Sequence, residues 1–275
     1  MPELPEVQTV VNHIRDDLIG KKILGIIPLW KKSLDNFKPN EISTKNKKNI
    51  ILDVRRRAKF IIIDLDEYII AVHLRMTGKL YIQKGSSIPK YTRVIINLEN
   101  SKDLIFDDIR KFGRVYLYKN LTEIDGTHGP EPLGKEFTAE WFYDNLKKKN
   151  RNLKALLLDQ SFIAGLGNIY VDESLWKSGI HPNSISSAIS KTKVFLLHNA
   201  IQNILMKAID NHGTSFMNFT FLNGKSGNYS NELKIFGKQG LPCKTCGGII
   251  KKVKVAGRGT HICNTCQKKY RPKKK

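Results

Sequence analysis

Four cysteines close to the C-terminal end restrict the possible folds of this chain more than any other feature of its sequence. They form two Cys-x2-Cys pairs, Cys243 with Cys246 and Cys263 with Cys266, and sixteen residues separate the pairs. Each pair presents two thiolates to one side, so two pairs joined by a hairpin complete a tetrahedral site for Zn2+. The pattern predicts a zinc ribbon with a structural metal, because four protein ligands leave no open coordination position.

The predicted ribbon is too short to have much apolar core of its own, so its folding and its metal binding are expected to be linked. Four thiols without a metal are the alternative, since a reducing compartment disfavours disulfides. The predicted hairpin carries four cations, Lys251, Lys252, Lys254 and Arg258. Such a cationic finger suits contact with a phosphate backbone, and it indicates nothing about chemistry.

The chain as a whole is strongly basic. Its 275 residues include 47 Lys and Arg against 25 Asp and Glu, which gives a formal net charge of +22. This excess attracts polyanions, of which nucleic acid is the usual one, although a Lys-rich composition from an AT-rich genome would look the same. The sequence shows neither an apolar run of membrane-spanning length nor the features of a secretory signal. We therefore expect a cytoplasmic protein that binds no membrane.

The first half of the chain indicates one helix followed by strands. Apolar residues recur at helical spacing from Val7 to Ile19, and Gly20 then provides a stop. Short apolar runs follow at 23–29, 50–54, 60–65, 68–74, 79–83, 93–98, 104–106 and 114–118, with hairpin candidates at Asp66-Glu67 and Asn100-Ser101. Closely spaced strands without intervening helices predict an antiparallel sheet or sandwich.

The second half of the chain indicates helices. The stiff turn Gly129-Pro130-Glu131-Pro132 marks the predicted domain junction. Helices are predicted at about 139–149, 153–159, 169–178 and 186–211, and an Asn-, Gly- and Ser-rich loop follows them. The predicted fold class is α+β, with an antiparallel β-sandwich before the junction and a helical part with the ribbon after it.

The second residue, Pro2, offers an unusual nucleophile. A small residue after the initiator Met allows Met1 to be removed, which leaves a free secondary amine that is about one-tenth neutral at pH 7. Attack of such an amine on C1′ of deoxyribose gives an iminium, and a neighbouring carboxyl such as Glu3 can move a proton at the sugar. Taken alone, Pro and Glu are also ordinary residues for a helix start.

Seven motifs occur together in one order along nearly the whole chain. They are MPELPEV at 1–7, RRAKF at 56–60, HLRMTGKL at 73–80, IRKFG at 109–113, GPEPL at 129–133, AGLGNIYVDESLW at 164–176 and the four-Cys ribbon. This combination resembles the formamidopyrimidine-DNA glycosylase family. The sister group, endonuclease VIII, is less similar, because it typically begins PEGPE and lacks the RMTG and RKFG pairing.

The resemblance implies a monomer with three parts that binds damaged double-stranded DNA in the cleft between its two main domains. The parts are a catalytic β-sandwich over residues 1–130, a helix-two-turns-helix domain over 131–235 and the ribbon over 236–270. A lesion-capping loop is expected at about 212–230 within the second part. The implied reaction is excision of 8-oxoguanine and formamidopyrimidines, followed by β- and δ-elimination, with no small-molecule cofactor besides one Zn2+.

By the same resemblance, Pro2 is the Schiff-base nucleophile and Glu3 the proton donor at the sugar. Lys59 is a proton donor in β-elimination, and Arg258 contacts phosphate and assists δ-elimination. Glu6 is expected to order the N-terminus. From the residues alone, a lysine such as Lys59 on a strand would more often be a solvated surface charge.

The resemblance further implies that Met76, Arg110 and Phe112 enter the base stack when the damaged nucleotide leaves it. A thioether, a guanidinium and a ring suit that role, and Arg110 can also hydrogen-bond the orphaned cytosine. Met76 or Phe112 standing alone would indicate ordinary core packing. The expected DNA-binding residues are Tyr91, Arg110, Lys149, Arg151, Lys154 and Asn168.

The sequence departs from the family at Gln8, where many members have Glu, at Ile109, where many have Pro, and at Tyr91, where a DNA-contacting His is common. Two alternatives to the purine-specific enzyme stay open at this point. One is an oxidised-pyrimidine glycosylase like endonuclease VIII, and the other is a non-catalytic zinc-ribbon protein that binds damaged DNA.

Overall fold

A computed structural model describes residues 1–42, 49–84, 87–100, 102–214 and 227–272. The chain divides into two compact units, and the predicted α+β class is confirmed. Unit 1 comprises Met1–Gly126 and His212–Gly227, and unit 2 comprises Thr127–Asn211 and Asn228–Lys275. None of the helices in the described part of the chain is long and apolar enough to cross a membrane.

Unit 1 consists of an N-terminal helix, two antiparallel sheets and one short helix. Helix α1 spans Leu4–Leu18, and helix α2 spans Thr122–Asp125. The strands are β1 Ile23–Pro28, β2 Asp53–Arg57, β3 Phe60–Asp64, β4 Ile69–His73, β5 Gly78–Lys84, β6 Thr92–Leu98, β7 Lys102–Asp108 and β8 Arg114–Tyr118. One sheet has the strand order β1-β6-β7-β5 and the other β2-β3-β4-β8.

Both sheets and α1 contribute to one apolar core, which confirms the predicted sandwich. Alternate residues of β6, Val94, Ile96 and Leu98, belong to that core together with Ile70 and Val72 of β4. The same core receives the apolar face of α1, whose members are Val7, Val10, Val11, Ile14 and Leu18. Each fully buried aliphatic side chain stabilises the fold by about 1.5–3 kcal/mol relative to exposure, so this shared core stabilises the packing of α1 against the sheets.

The strand predicted at 50–54 lies three residues later in the structure, where β2 spans Asp53–Arg57. Ile50 and Leu52 are 41% and 53% exposed, whereas the polar β2 pairs with β3 along its length. Arg55 donates to Asp64 at 2.6 Å across this pair. Cross-strand ion pairs thus allow a strand that lacks the apolar alternation used to predict it.

Unit 2 contains four helices in its described residues: α3 Ala139–Lys147, α4 Leu153–Leu158, α5 Asn168–Lys177 and α6 Lys191–Asp210. Side-chain oxygens cap two of them, since Thr138 accepts from Trp141 N at 3.1 Å and Asn152 accepts from Ala155 N at 3.0 Å. The helix predicted from residue 186 starts later, because residue 189 has extended backbone and separates a short 3-10 turn from α6.

The C-terminal hairpin pairs β9, Lys251–Val255, with β10, Arg258–Ile262. Ala256 and Gly257 form the two-residue turn, with φ of 50° and 72°. Positive φ at both turn positions is the geometry that suits the twist of a tight hairpin. Arg258 is therefore fixed as the first residue after the turn.

Candidate active site, DNA interface and zinc centre

The N-terminal residues lie at the start of α1. Glu3 is the N-cap residue and only 2% exposed, and Pro2 is also buried, whereas Met1 is 49% exposed. In this unprocessed chain the Pro2 nitrogen is an amide and cannot act as a nucleophile. Removal of Met1 would convert it into the secondary amine that the predicted chemistry needs.

Glu6 connects this helix start to a distant part of the chain in unit 1. Its Oε2 accepts from the Glu3 backbone N at 2.9 Å, and its Oε1 accepts from Thr214 N at 2.8 Å and Thr214 Oγ1 at 2.9 Å. Glu6 is 4% exposed and lies in the first helical turn, where a negative charge is favourable. The expectation that Glu6 orders the N-terminus stays a prediction, and these contacts support it.

Lys59 lies in the turn between β2 and β3 and not within a strand. It is 6% exposed, so it is not the solvated surface charge that isolated sequence reasoning favours. The preceding Ala58 has a φ of 53°, a left-handed conformation that is uncommon for a residue with a Cβ atom. Arg56 Nη1 donates to the Ala58 carbonyl at 3.0 Å and so stabilises this turn.

The three residues predicted to enter the base stack lie together. Arg110 Nη1 lies 3.1 Å from Met76 Sδ, and the Arg110 guanidinium lies 4.7 Å from the centre of the Phe112 ring. Met76 and Phe112 are 44% and 47% exposed, so neither is a core residue. Three large side chains exposed at one place suit insertion into stacked bases.

A buried carboxylate that sequence reasoning missed organises this group. Asp108 is 1% exposed, and its Oδ2 accepts from Gly113 N at 2.7 Å. Its Oδ1 accepts from Arg110 N at 3.2 Å and from the Thr77 hydroxyl. Asp108 thereby joins the turn that carries Arg110 to the turn that contains Met76. Its position two residues before Arg110, at the end of β7, was the available sequence signal.

The other predicted DNA-binding residues of the two units are separate surface positions. Tyr91, in unit 1, is 39% exposed immediately before β6. Lys149 and Arg151, in unit 2, are exposed between α3 and α4, and Arg151 donates to Asp159 at 2.8 Å. Their contacts with DNA stay predictions.

Asn168 contacts the residue that follows Arg258, within unit 2. Asn168 is the first residue of α5, and its Nδ2 donates to the carbonyl of Gly259 at 2.9 Å. Arg258 precedes that glycine and is exposed. Lys154 differs from both, because its side chain is 0% exposed and forms an ion pair with Asp172 at 2.5 Å. In this structure the Lys154 ammonium therefore has no surface to offer a phosphate.

Helix α5 also binds the segment that leads into the ribbon. Both carboxylate oxygens of Glu173 accept from Lys234 N at 3.1 Å, and Oε1 also accepts from Ile235 N at 2.9 Å and Phe236 N at 2.8 Å. Burial raises the pKa of Glu173, and the three amides offset this only in part. Sequence reasoning missed this role, although the residue stands inside the GNIYVDE motif.

The four cysteines lie together as predicted. Their sulfur atoms are all within 4.8 Å of one another, with Cys243 Sγ 3.8 Å from Cys266 Sγ and Cys246 Sγ 3.4 Å from Cys263 Sγ. Zn–S bonds of about 2.3 Å in a tetrahedron place sulfurs about 3.8 Å apart, so this geometry fits Zn2+. Burial raises the pKa of the buried thiols; at Cys243 nearby backbone amides outweigh burial and lower the pKa to about 6, whereas the pKa values of Cys263 and Cys266 stay raised by burial and by the neighbouring thiols.

The predicted lesion-capping loop, about 212–230, falls mostly outside the described residues, which resume at Gly227. At the N-terminal end of the predicted loop, Gly213 is described and has a φ of 73°. A Cβ atom at this position would lie 2.8 Å from Glu6 Oε1. Only glycine fits both the left-handed backbone and this close approach.

Comparisons with known proteins cover nearly the whole chain. Family models match for the formamidopyrimidine-DNA glycosylase N-terminal domain at 1–115, for its H2TH domain at 128–220 and for the zinc finger found in FPG and IleRS at 240–269. The formamidopyrimidine-DNA glycosylase of Protochlamydia amoebophila is 43% identical over 276 residues, which are 98% of this chain and 100% of that protein. The chain belongs to the formamidopyrimidine-DNA glycosylase family.

Two other similar proteins extend this assignment. The formamidopyrimidine-DNA glycosylase of Bacillus licheniformis is 38% identical over 98% of this chain and 100% of its own length. A crystal structure of a Lactococcus lactis FPG variant with DNA that contains Fapy-dG superposes with a TM-score of 0.90, at 35% identity over 98% of this chain and 100% of that one. The fold of this family member is thus that of FPG, and its four-Cys ribbon is a structural site for one Zn2+.

Proposed function

We propose that this chain excises oxidised purines, namely 8-oxoguanine and formamidopyrimidines, from duplex DNA and then cleaves the strand at the abasic site. One observation carries the proposal: the chain matches formamidopyrimidine-DNA glycosylases over 98% of its length, including a protein crystallised with DNA that contains Fapy-dG. The enzyme is a bifunctional DNA glycosylase and abasic-site lyase. It acts as a monomer in the bacterial cytoplasm, and the curated relatives named above are bacterial proteins.

The reaction begins when the amine of processed Pro2 attacks C1′ of the damaged nucleotide. The N-glycosidic bond breaks, the base leaves with its electron pair and takes up a proton, and the opened sugar remains attached to Pro2 as an iminium. Glu3 is the proposed proton donor at the sugar ring oxygen. Its burial at the N-cap of α1 and the contact of its backbone with Glu6 support this placement.

The iminium then acts as the electron sink for strand cleavage. Loss of a proton from C2′ expels the 3′ phosphate, and a second elimination expels the 5′ phosphate. Lys59 is the proposed proton donor in the first elimination, and its 6% exposure in the β2–β3 turn supports a fixed position. Arg258 is proposed for the phosphate contact and the second elimination. Excision needs the damaged base outside the stack, and Met76, Arg110 and Phe112 are proposed to fill its place.

The three-part division at 1–130, 131–235 and 236–270 remains our proposal for the domains. Within it, Asn168 and Arg258 are the proposed phosphate ligands of unit 2, which the hydrogen bond from Asn168 to Gly259, the residue after Arg258, supports. The structural zinc takes no part in bond making. It holds the ribbon that carries Arg258.

Borohydride trapping on a duplex with one 8-oxoguanine opposite cytosine tests this proposal. Processed wild-type protein should form a covalent adduct, and Pro2→Gly should form none or far less. A wild-type protein that binds the duplex without an adduct would be a damage sensor and not an enzyme. Faster cleavage of a thymine-glycol duplex than of the 8-oxoguanine duplex would instead favour the oxidised-pyrimidine enzyme.

A further inference from the structure

We infer that Asp172 is a positioning residue which, together with Lys154, fixes the strand bearing Arg258 beside Asn168. The inference rests on the proposed function, in which Arg258 and Asn168 bind DNA phosphates. It gives Lys154 a different role from the predicted one, as part of a buried tether and not as a phosphate ligand.

The tether begins with a fully buried ion pair. Lys154 of α4 and Asp172 of α5 both have 0% exposed side chains, and their Nζ and Oδ1 atoms are 2.5 Å apart. A buried charge is tolerated only when it is paired and its remaining hydrogen-bonding groups are satisfied. The second carboxylate oxygen of Asp172 meets that requirement by accepting from the backbone N of His261 at 2.9 Å.

The same pair reaches the hairpin through a hydroxyl group. Lys154 Nζ donates to Thr260 Oγ1 at 2.7 Å, and that hydroxyl donates to the carbonyl of Arg258 at 3.0 Å. Thr260 is 0% exposed. A continuous chain of hydrogen bonds therefore runs from Asp172 through Lys154 and Thr260 to the backbone of Arg258.

Four consecutive residues of β10 are held in this way. Arg258 and Gly259 are contacted at their carbonyls, Thr260 at its hydroxyl and His261 at its backbone N. The Gly259 contact comes from Asn168, the first residue of α5. Because Asp172 lies one helical turn after Asn168, a single helix sets the position of both proposed phosphate ligands.

A fixed backbone has a direct effect on phosphate binding. The Arg258 side chain is exposed, whereas its peptide group is tied to buried atoms. Ordering a loop on binding costs conformational entropy, so a strand ordered beforehand binds more tightly through the same side chain. Loss of the tether should therefore weaken the Arg258 contact without altering the guanidinium itself.

The test measures binding of a duplex with a tetrahydrofuran abasic-site analogue between 50 and about 300 mM salt, a range wide enough to give a slope. The variants are Asp172→Asn, Arg258→Ala and the double variant. The amide that Asp172→Asn introduces offers one acceptor oxygen and cannot serve both Lys154 and His261. We expect Arg258→Ala to raise Kd about tenfold. We also expect it to make the slope of the logarithm of the association constant against the logarithm of salt concentration less steep by about 1.

Asp172→Asn should raise Kd about five- to tenfold with the same fall in slope, because the lost contact is the same phosphate contact. In the Arg258→Ala background it should change Kd less than about twofold. Zinc content should stay at one per chain. Asp210→Asn, an exposed acid at the end of α6, is the matched control and should bind as wild type does.

Thr260→Val decides the outcome if Asp172→Asn does not fold, because it keeps the ion pair and removes only the hydroxyl link. It should raise Kd about two- to threefold with a smaller slope, and Thr260→Ser should restore wild-type binding. Wild-type binding by Thr260→Val, or an Asp172→Asn effect of equal size in both backgrounds, would overturn the inference. Wild-type binding and slope for Arg258→Ala would instead refute the phosphate role in the proposed function.

Discussion

The Glu6 carboxylate accepts hydrogen bonds from both the backbone amide and the hydroxyl of Thr214, at 2.8 and 2.9 Å, although the two residues are 208 positions apart. The other oxygen of the same carboxylate accepts from the Glu3 backbone N. Glu6 therefore links the residue next to the proposed nucleophile to the last described residues before 215. This contact makes the geometry of the N-terminus depend on residues 213 and 214.

Glu6→Gln should reduce both stability and catalysis. Glutamine has one acceptor oxygen, so at least one of the three donors that now face Glu6 loses its partner, at a cost of about 1–3 kcal/mol in the free energy of unfolding. Borohydride trapping should slow because Glu3 and Pro2 are less well fixed. Urea unfolding and single-turnover trapping measure the two effects. Asp16→Asn, exposed on the same helix, should leave both unchanged.

Gly213→Ala should destabilise the protein more than Gly20→Ala does. Both glycines have positive φ, 73° and 78°, so both substitutions incur a left-handed backbone penalty of about 1–2 kcal/mol. Only at Gly213 would the new Cβ atom meet an obstacle, 2.8 Å from Glu6 Oε1, whereas Gly20 has no atom within 4 Å. Equal losses of unfolding free energy for the two variants would show that the Glu6 approach is unimportant.

Asp108→Asn should impair excision of the base more than cleavage of a preformed abasic site. The buried carboxylate accepts from Gly113 N, Arg110 N and the Thr77 hydroxyl, and an amide cannot accept from all of them. The turn that carries Arg110 should loosen, which affects base extrusion before chemistry. Rates on 8-oxoguanine and abasic duplexes measure this split. Asp66→Asn, an exposed hairpin acid, is the control, and equal slowing on both duplexes would contradict the prediction.

Local sequence patterns were sufficient to predict the helices and strands whose stability depends on the periodic burial of apolar side chains. Helix α1 and the strands from Phe60 to Leu98 follow the apolar spacing closely, since one shared core selects that spacing. Strand β2 did not, because its arginines are held by partners such as Asp64 and Asp125 that no local pattern reveals. Polar strands of this kind are predictable only once their neighbours are known.

The candidate site likewise has features that the sequence predicted and features that it did not. Cysteine spacing alone predicted the metal centre, and motif order placed Met76, Arg110 and Phe112, which the structure brings together. The buried polar contacts could not be predicted from the sequence. Asp172 and His261 are 89 positions apart in the sequence, and a hydrogen bond over such a separation produces no periodic pattern in the sequence. That contact network is also why Lys154 is buried and not presented to solvent.

Zinc removal should abolish DNA binding by the ribbon while the first unit stays folded. The ribbon core consists mainly of Ile235, Ile250 and the metal ligands themselves, so it loses its main stabilising element without the ion. Cys246→Ser should bind less than one zinc per chain and show weaker DNA binding. Zinc analysis, DNA titration and circular dichroism at strand wavelengths check this. Wild-type DNA affinity in a zinc-free variant would contradict it.

Asp159 should make the second unit sensitive to acid. Its carboxylate accepts from Ser161 N at 3.1 Å, Ser161 Oγ at 2.7 Å and Arg151 Nη1 at 2.8 Å. Burial raises its pKa, but the Ser161 and Arg151 hydrogen bonds outweigh burial, so the pKa lies below the ordinary value of 3.8. A carboxyl with a lowered folded pKa stabilises the fold above its unfolded pKa and loses that contribution as pH falls through the folded one.

Asp159→Asn should therefore lower the free energy of unfolding at pH 7, and its difference from wild type should shrink as pH falls below about 4. Denaturant unfolding between pH 7 and about 3 measures this difference. Asp144→Asn changes an exposed carboxyl in α3 and should follow the wild-type curve at every pH. A deficit for Asp159→Asn that stays constant into the acid range would mean that the neutral hydrogen bonds, and not the charge, stabilise this loop.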